Sequence, residues 1–179
     1  DEFRLEPFAQ HGDATRTVVE QAGGTVDASG YVTPTDRPSR AVDGDPTTSW
    51  LVDGHVVGQH LTITSDHPQT VDHLTLTQRP TIPTDRSITE VKLTFDHGDP
   101  VTADLGPQSL TAPGQTITFA PRTAGRVDIE ITDVQMPMAK SVNPVGFTEV
   151  GFGDTKVSET VRLPVDLARR VQGDAAGHR

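Results

Sequence analysis

The chain has 179 residues, a net charge of −10 at pH 7 and no cysteine. This length allows one domain with a sizeable core. The acidic balance disfavours nucleic acid and anionic lipid surfaces as partners, and the lack of cysteine excludes disulfides and thiolate metal sites. No stretch approaches the roughly 20 apolar residues of a membrane-spanning helix, so we expect no direct membrane insertion.

Residues 1–13 have no hydrophobic periodicity and are predicted to be an N-terminal extension or linker. They lack the basic flank and apolar run of a signal peptide, so we expect none in this chain. At the other end, residues 164–179 are predicted to be a C-terminal tail. Its first part, 164–171, is compatible with a short helix because Pro164 suits the first turn.

Short runs of alternating apolar and polar residues dominate the region between these ends and are typical of half-buried strands. The runs cover residues 60–64, 71–77, 88–95, 115–119, 126–131, 147–152 and 160–163. Clusters of turn-forming residues lie between them at 65–68, 96–100, 112–114 and 123–125. Many short strands separated by turns predict an all-β sandwich or jelly roll, with two antiparallel sheets, over residues 14–163.

The segment from Pro38 to Trp50 concentrates oxygen-bearing side chains before the one tryptophan of the chain. Asp43-Gly44-Asp45-Pro46 predicts a sharp turn, because Gly44 is free to adopt a positive φ. The carboxylates, the Thr48 hydroxyl and the exposed carbonyls of such a loop are the ligands that Ca²⁺ prefers. A surface turn without a metal remains the alternative. Trp50 is predicted to bury its ring at one end of the sandwich.

This segment resembles the A-x-D-G-(D/N)-x-x-T-x-W signature of the coagulation factor 5/8 type C, or discoidin, family. Family 32 carbohydrate-binding modules share the same galactose-binding-like jelly roll. The resemblance covers roughly residues 14 to 153. Its later elements correspond to residues 58–61, 88–91, 96–98 and 147–150.

The resemblance implies a structural calcium ion that fixes the loop to the last core strand. Its ligands would be the side chains of Asp43, Thr48 and Glu149, the carbonyl of Thr48, and carbonyls near Arg40 and Asp45. Glu149 lies in an otherwise apolar strand, where an unpaired carboxylate is costly. A metal ion would explain its presence, and an arginine partner is the alternative.

A narrower resemblance concerns residues 144–150 and 160–167, which are similar to discoidin-type modules of the large mycobacterial arabinofuranosyltransferases. These membrane enzymes build arabinogalactan and lipoarabinomannan and carry soluble modules on the outer side of the membrane. The resemblance implies an accessory module of a larger membrane-bound chain, with an extracytoplasmic location.

The sequence contains no pattern that predicts catalysis, since it has neither a G-x-S-x-G elbow nor H-E-x-x-H spacing. Sugar sites pair an aromatic ring with polar side chains. The candidates are Tyr31, His55, Arg79, Arg86 and Asn143. A carbohydrate-binding module for cell-envelope arabinan or galactan is the leading hypothesis. A structural or protein-docking domain without a glycan ligand is the second, and a lipid-surface module the third.

Overall fold

The structure, a computed structural model, describes residues 18–81, 85–96, 98–135 and 143–162. These residues form nine strands and three short 3₁₀ helices, with no α-helix among them. The strands are β1 Val18–Ala22, β2 Gly24–Ala28, β3 Trp50–Val52, β4 His60–Gln78, β5 Ser87–Phe95, β6 Val101–Asp104, β7 Gln115–Gln135, β8 Val145–Gly151 and β9 Ser158–Arg162. The 3₁₀ helices are Pro34–Asp36, Pro38–Ala41 and Pro107–Leu110. The predicted all-β class is confirmed.

The chain divides into two compact units. In the first unit, β1 pairs with β9 in antiparallel register. The second unit comprises residues Gly23–Val157 and contains the other strands. The predicted extension 1–13, the tail 164–179 with its short helix, and the sandwich limits at 14 and 163 lie outside the described residues. In the part of the chain that is described, no helix has the length and apolar character needed to cross a bilayer.

The second unit is the predicted sandwich of two antiparallel layers. In one layer the order is β2, the first half of β4, the second half of β7, β5 and β6. In the other layer the order is β3, β8, the second half of β4 and the first half of β7. β4 and β7 contribute to both layers because they bend together. Register shifts in their ladder, between Thr64 and Gln69 and between Val71 and His73, mark this bend.

The bend corrects two predicted turns. The segments 65–68 and 123–125 do not end strands, because they lie inside β4 and β7. At this point the Gly125 N–H donates to the Asp96 carboxylate at 2.9 Å, and Pro68 lies against Gly125. Turn-forming residues therefore bend two paired strands at the same place, and the ladder continues beyond them. The predicted turns at 112–114 and in the described part of 96–100 do lie between regular elements.

Alternating apolar side chains of the strands fill the space between the two layers. In β5, Ile88, Val91, Leu93 and Phe95 are buried, and a register shift at Glu90 explains why the alternation moves by one residue there. Burying an aliphatic or aromatic side chain of this size contributes about 1.5–3 kcal/mol. The period-2 pattern of the sequence therefore produces the core directly.

Trp50 closes the core at β3, as predicted. Its indole is fully buried, its ring lies 6.0 Å from the ring of Phe147, and its Nε1–H donates to the Gly30 carbonyl at 2.9 Å. β3 approaches β8 so closely that a Cβ on Gly146 would lie 1.9 Å from the Trp50 carbonyl oxygen. Only glycine fits at this position. β3 is thereby held against β8, and the loops at both ends of β3 start from fixed points.

Candidate functional site

The loop between Pro38–Ala41 and β3 is folded by its own side chains. Gly44 has φ 78°, a conformation that residues with a side chain rarely adopt. The Asp45 N–H donates to Asp43 Oδ1 at 3.0 Å. Asp45 Oδ1 accepts the Thr47 hydroxyl at 2.6 Å and the Thr47 N–H at 2.9 Å, and these bonds hold the pKa of the Asp45 carboxyl below its usual range. The Asp45 side chain therefore supports the loop.

The Thr48 hydroxyl is surrounded by oxygen atoms. It lies 3.0 and 3.2 Å from the two carboxylate oxygens of Asp43. It also lies 3.1 Å from the Asp45 carbonyl and 3.2 Å from the Arg40 carbonyl. A hydroxyl has one hydrogen, so it donates to one of these four oxygens at a time. The other close contacts join lone pairs to lone pairs, an arrangement that a cation would stabilise.

Glu149 of β8 reaches the same loop. Its Oε2 atom is buried and has no hydrogen-bond partner among the described residues, while the Gly44 N–H donates to the carboxylate. Burial, together with the negative charge of Asp43, raises the pKa of Glu149 to about 7. The charges that act most strongly on Glu149 are Asp43, Lys156 and Asp45, so the arginine partner considered above does not account for it. Asp43 and Glu149 therefore lie together.

This oxygen cluster fits a hard cation. It offers the carboxylates of Asp43 and Glu149, the Thr48 hydroxyl, and the carbonyls of Arg40 and Asp45. Ca²⁺ binds about six to eight oxygens at roughly 2.3–2.6 Å, which places neighbouring ligands about 3 Å apart. The described residues include no group of three or more His, Cys, Asp or Glu able to hold a metal ion. Three of the five donor groups named above are neutral oxygens and two are carboxylates, a set that suits Ca²⁺ better than Zn²⁺.

One internal cation already contacts the cluster. Nη1 of the buried Arg40 lies 3.3 Å from Asp43 Oδ2. A buried carboxylate without a counter-charge is costly, so this ion pair offsets part of the negative charge of the loop. It leaves Oε2 of Glu149 without a partner.

A shallow groove beside β3 contains the exposed ring of Tyr31. The groove has a volume of about 370 Å³, and 53% of Tyr31 is exposed. Its lining residues are Ser29, Gly30, Tyr31, Val32, Val52, Asp53 and Gln59. Ser29 Oγ donates to Gln59 Oε1 at 2.5 Å, and Gln59 Nε2 donates to the His55 carbonyl at 3.2 Å. The structure therefore places Tyr31 near the exposed loop that carries His55.

A second, smaller groove of about 190 Å³ contains two more of the predicted sugar contacts. It is lined by Arg79, Pro80, Thr81, Asp85, Asn143 and Pro144. Asn143 Nδ2 donates to Asp85 Oδ1 at 2.6 Å, and Arg79 is exposed. The structure therefore brings Arg79 and Asn143 together.

Arg86 has a different position from the other candidates. It is only 3% exposed, and its guanidinium donates to the Gly54 carbonyl at 3.0 Å and to the Asn143 carbonyl at 2.9 and 3.2 Å. Arg86 thus connects the loop after β3 to the segment before β8. Because its donors face carbonyls inside the protein, we assign it to loop support and leave it out of the sugar contacts.

Several groove residues were not predicted from the sequence. Asp53 and Gln59 line the first groove, and Thr81 and Asp85 line the second. None of them lies in a motif, since acidic and amide residues are common in loops of this composition. Only their distance from Tyr31 or Asn143 in the folded chain identifies them.

The fold and the loop before Trp50 define a discoidin-like β-sandwich of the kind found in carbohydrate-binding modules. A family model described as "domain of unknown function (DUF7402)" matches residues 14–152, and the chain belongs to this family. The comparison with curated proteins found no match.

Solved structures with the same fold include a large transferase and two small modules. The arabinofuranosyltransferase AftD from mycobacteria matches with 21% identity and a TM-score of 0.60, over 81% of this chain and 12% of that chain. The family 32 carbohydrate-binding module of C. perfringens NanJ, in complex with galactose, matches with 18% identity and a TM-score of 0.54, over 74% and 97%. Chitosan-binding module 1 from the Paenibacillus sp. IK-5 chitosanase/glucanase matches with 23% identity and a TM-score of 0.50, over 73% and 96%.

These comparisons confirm the predicted fold. The chain spans only 12% of the length of AftD, and it spans nearly all of each small module.

Proposed function

We propose that this chain is a non-catalytic carbohydrate-binding module that holds cell-envelope arabinan or galactan for a membrane arabinofuranosyltransferase. The observation that carries the proposal is the groove beside β3, where the exposed ring of Tyr31 lies among polar groups of Ser29, Asp53 and Gln59. A sugar has apolar C–H faces and a polar rim, and this combination matches both. The rest of the larger parent chain and the envelope polysaccharide are the proposed partners.

The likeness to AftD supports the parent enzyme and the extracytoplasmic location in this proposal. The part of AftD that resembles this chain is a small fraction of that enzyme. An accessory module outside the catalytic centre would have this size. The galactose complex of the NanJ module supports a neutral sugar as the class of ligand.

The charge of the first groove favours a neutral glycan. Among the described residues that line this groove, Asp53 alone has a formal charge, and the whole chain carries −10. An anionic sugar such as a uronate would meet repulsion there, whereas arabinose and galactose units would not.

We further propose that calcium binds the oxygen cluster of Asp43, Thr48 and Glu149, with the carbonyls of Arg40 and Asp45. The ion would supply positive charge to two carboxylates that lie close together. The chain's own part is to hold the loop to β8, through Gly44 N–H and the Glu149 carboxylate. Because β3 follows this loop directly, the bound ion would also fix the start of the strand beside the groove.

Calorimetric titration of arabinan and galactan oligosaccharides into the calcium-loaded protein tests the sugar proposal. Wild type is expected to bind with a Kd between about 10 µM and 1 mM, and Tyr31→Ala to lose about tenfold or more, a loss of about 1.4 kcal/mol or greater. Val57→Ala is the matched control, because Val57 is also an exposed apolar loop residue, at 39%. A uronate oligosaccharide is expected to give no heat.

A different result would favour the protein-docking alternative. Tyr31, Val32 and Val57 are the large apolar residues that the described chain exposes, and such side chains also suit a protein partner. Silence of the wild-type protein across neutral glycans at millimolar concentration would overturn the sugar proposal.

A further inference from the structure

A second cation lies at the proposed calcium cluster. Lys156 Nζ lies 3.6 Å from the point that a Cβ on Gly44 would occupy. Its charge also lowers the pKa of Glu149, against the effect of burial. The lysine ammonium is thus close to the turn that joins Asp43 to Asp45.

The backbone around Lys156 is held in place on both sides. The Val157 N–H donates to the Val42 carbonyl at 3.1 Å, which ties this segment to the start of the loop. A Cβ on Gly23 would lie 2.2 Å from the Lys156 carbonyl oxygen, so another segment packs directly against it. The neighbouring Thr155 is buried and accepts Gln69 Nε2 at 2.8 Å. The ammonium therefore extends from a fixed point toward the loop.

Because of the charges around it, Lys156 has opposite effects on the metal-free and on the calcium-bound protein. Above pH 7, where Glu149 is ionised, the described side chains of the cluster carry three negative charges on Asp43, Asp45 and Glu149 and two positive ones on Arg40 and Lys156. Without a metal the sum is −1, and each cation is stabilising. With Ca²⁺ bound the sum is +1, and the exposed ammonium repels the ion.

We propose that Lys156 is a built-in counter-ion that partly replaces calcium in the metal-free protein and thereby weakens calcium binding. The inference rests on the calcium site proposed above. Removing the ammonium leaves the carboxylates without this cation and removes a positive charge that repels the ion. The metal-free protein becomes less stable, and its affinity for calcium increases.

Calorimetric titration of calcium chloride into EDTA-stripped, dialysed protein tests this inference. Lys156→Met is expected to bind calcium about three- to tenfold more tightly than wild type, the order of magnitude of a repulsion between nearby single and double charges in aqueous surroundings. The difference should shrink at about 0.5 M salt, because screening weakens interactions between exposed charges.

Two control variants show whether the change in calcium affinity comes from the charge at position 156. Lys156→Arg keeps the charge and is expected to bind within about twofold of wild type. Lys92→Met removes one positive charge at a distant pair, since Lys92 contacts Glu130 on β7, and should also stay within about twofold. In EDTA, Lys156→Met should melt below wild type, and calcium should close or reverse that gap.

The outcomes are distinguishable. If wild type binds calcium and Lys156→Met binds equally or more weakly, the counter-ion role is wrong and the calcium site stands. If neither the wild type nor any variant binds calcium, the proposed calcium site fails and the role of Lys156 fails with it.

Discussion

The loop that precedes β3 and the two grooves differ in how many of their polar atoms have hydrogen-bond partners. Around Thr48, four oxygens crowd one hydroxyl, and within the described part of the chain Glu149 Oε2 has no hydrogen-bond partner. In the groove beside β3, polar side chains pair with each other near the exposed Tyr31 ring, as Ser29 does with Gln59. The unmet bonding capacity of the first region is what the proposed calcium ion would satisfy. The paired, exposed polar groups beside the Tyr31 ring are what the proposed neutral glycan would contact.

The largest expected effect comes from Trp50, the first residue of β3, which lies in the chain between the loop and the groove residues Val52 and Asp53. Trp50→Ala would remove the ring that packs on Phe147 and the hydrogen bond to the Gly30 carbonyl. We expect a loss of about 3–5 kcal/mol in the free energy of unfolding. Chemical denaturation in urea measures it. A loss below about 1 kcal/mol would show that the loop and the groove do not depend on β3.

The second prediction concerns a substitution that affects the proposed calcium site and leaves the grooves unchanged. Glu149→Gln should weaken calcium binding about 100-fold, because it removes one of the two carboxylates. Without calcium the variant should be more stable than wild type, since a buried charge beside Asp43 is lost. Calcium titration and melting in EDTA check both parts. Glu130→Gln is the control, as Glu130 pairs with Lys92 away from the loop. Unchanged affinity in Glu149→Gln would contradict the assignment.

The third prediction concerns a substitution that affects the loops around the grooves and leaves the proposed calcium site unchanged. Arg86→Leu would leave the Gly54 and Asn143 carbonyls without their buried donor. We expect a cost of about 1–3 kcal/mol in stability and weaker glycan binding. Calcium affinity should change less than about twofold, as Arg86 makes no contact with the oxygen cluster. Equal losses of calcium and glycan affinity would mean that the two regions act as one site.

The smallest effect is a pH dependence. Because the pKa of Glu149 is raised from 4.5 to about 7, the folded metal-free protein keeps a proton that the unfolded chain releases in this window. Stability therefore falls as pH rises from about 4.5 to about 7. Melting curves in EDTA across this range should show the fall in wild type but not in Glu149→Gln. Parallel curves for the two proteins would contradict the raised pKa.

The meeting of the Asp43 loop with Glu149 was predictable from the sequence because the family signature is local. Asp43, Gly44 and Thr48 lie within a few residues of a single tryptophan, and the resemblance to discoidin-type modules implied Glu149 as their partner. The alternating strands of the core were predictable for the same reason. Each of these two patterns can be recognised from residues that are close together in the sequence. The calcium ion itself stays a prediction.

The remaining features depend on parts of the chain that are distant in sequence. Residues 65–68 resemble a turn, yet β4 continues through them because β7 bends at the same place. β2, β3 and β6 have three to five residues each, too few for a clear alternation. The burial of Arg86 depends on carbonyls from two separate loops. Sequence alone does not reveal such partners.

Thermal unfolding of the same protein sample in calcium and in EDTA tests the central claim most directly. A site that joins the Asp43 loop to Glu149 in the folded state predicts a gain of about 2.7 kcal/mol at calcium 100-fold above Kd. For a chain of this size, that gain corresponds to a rise in Tm of about 5–10 °C. Identical melting curves, with the EDTA-treated sample verified as metal-free, would contradict the claim.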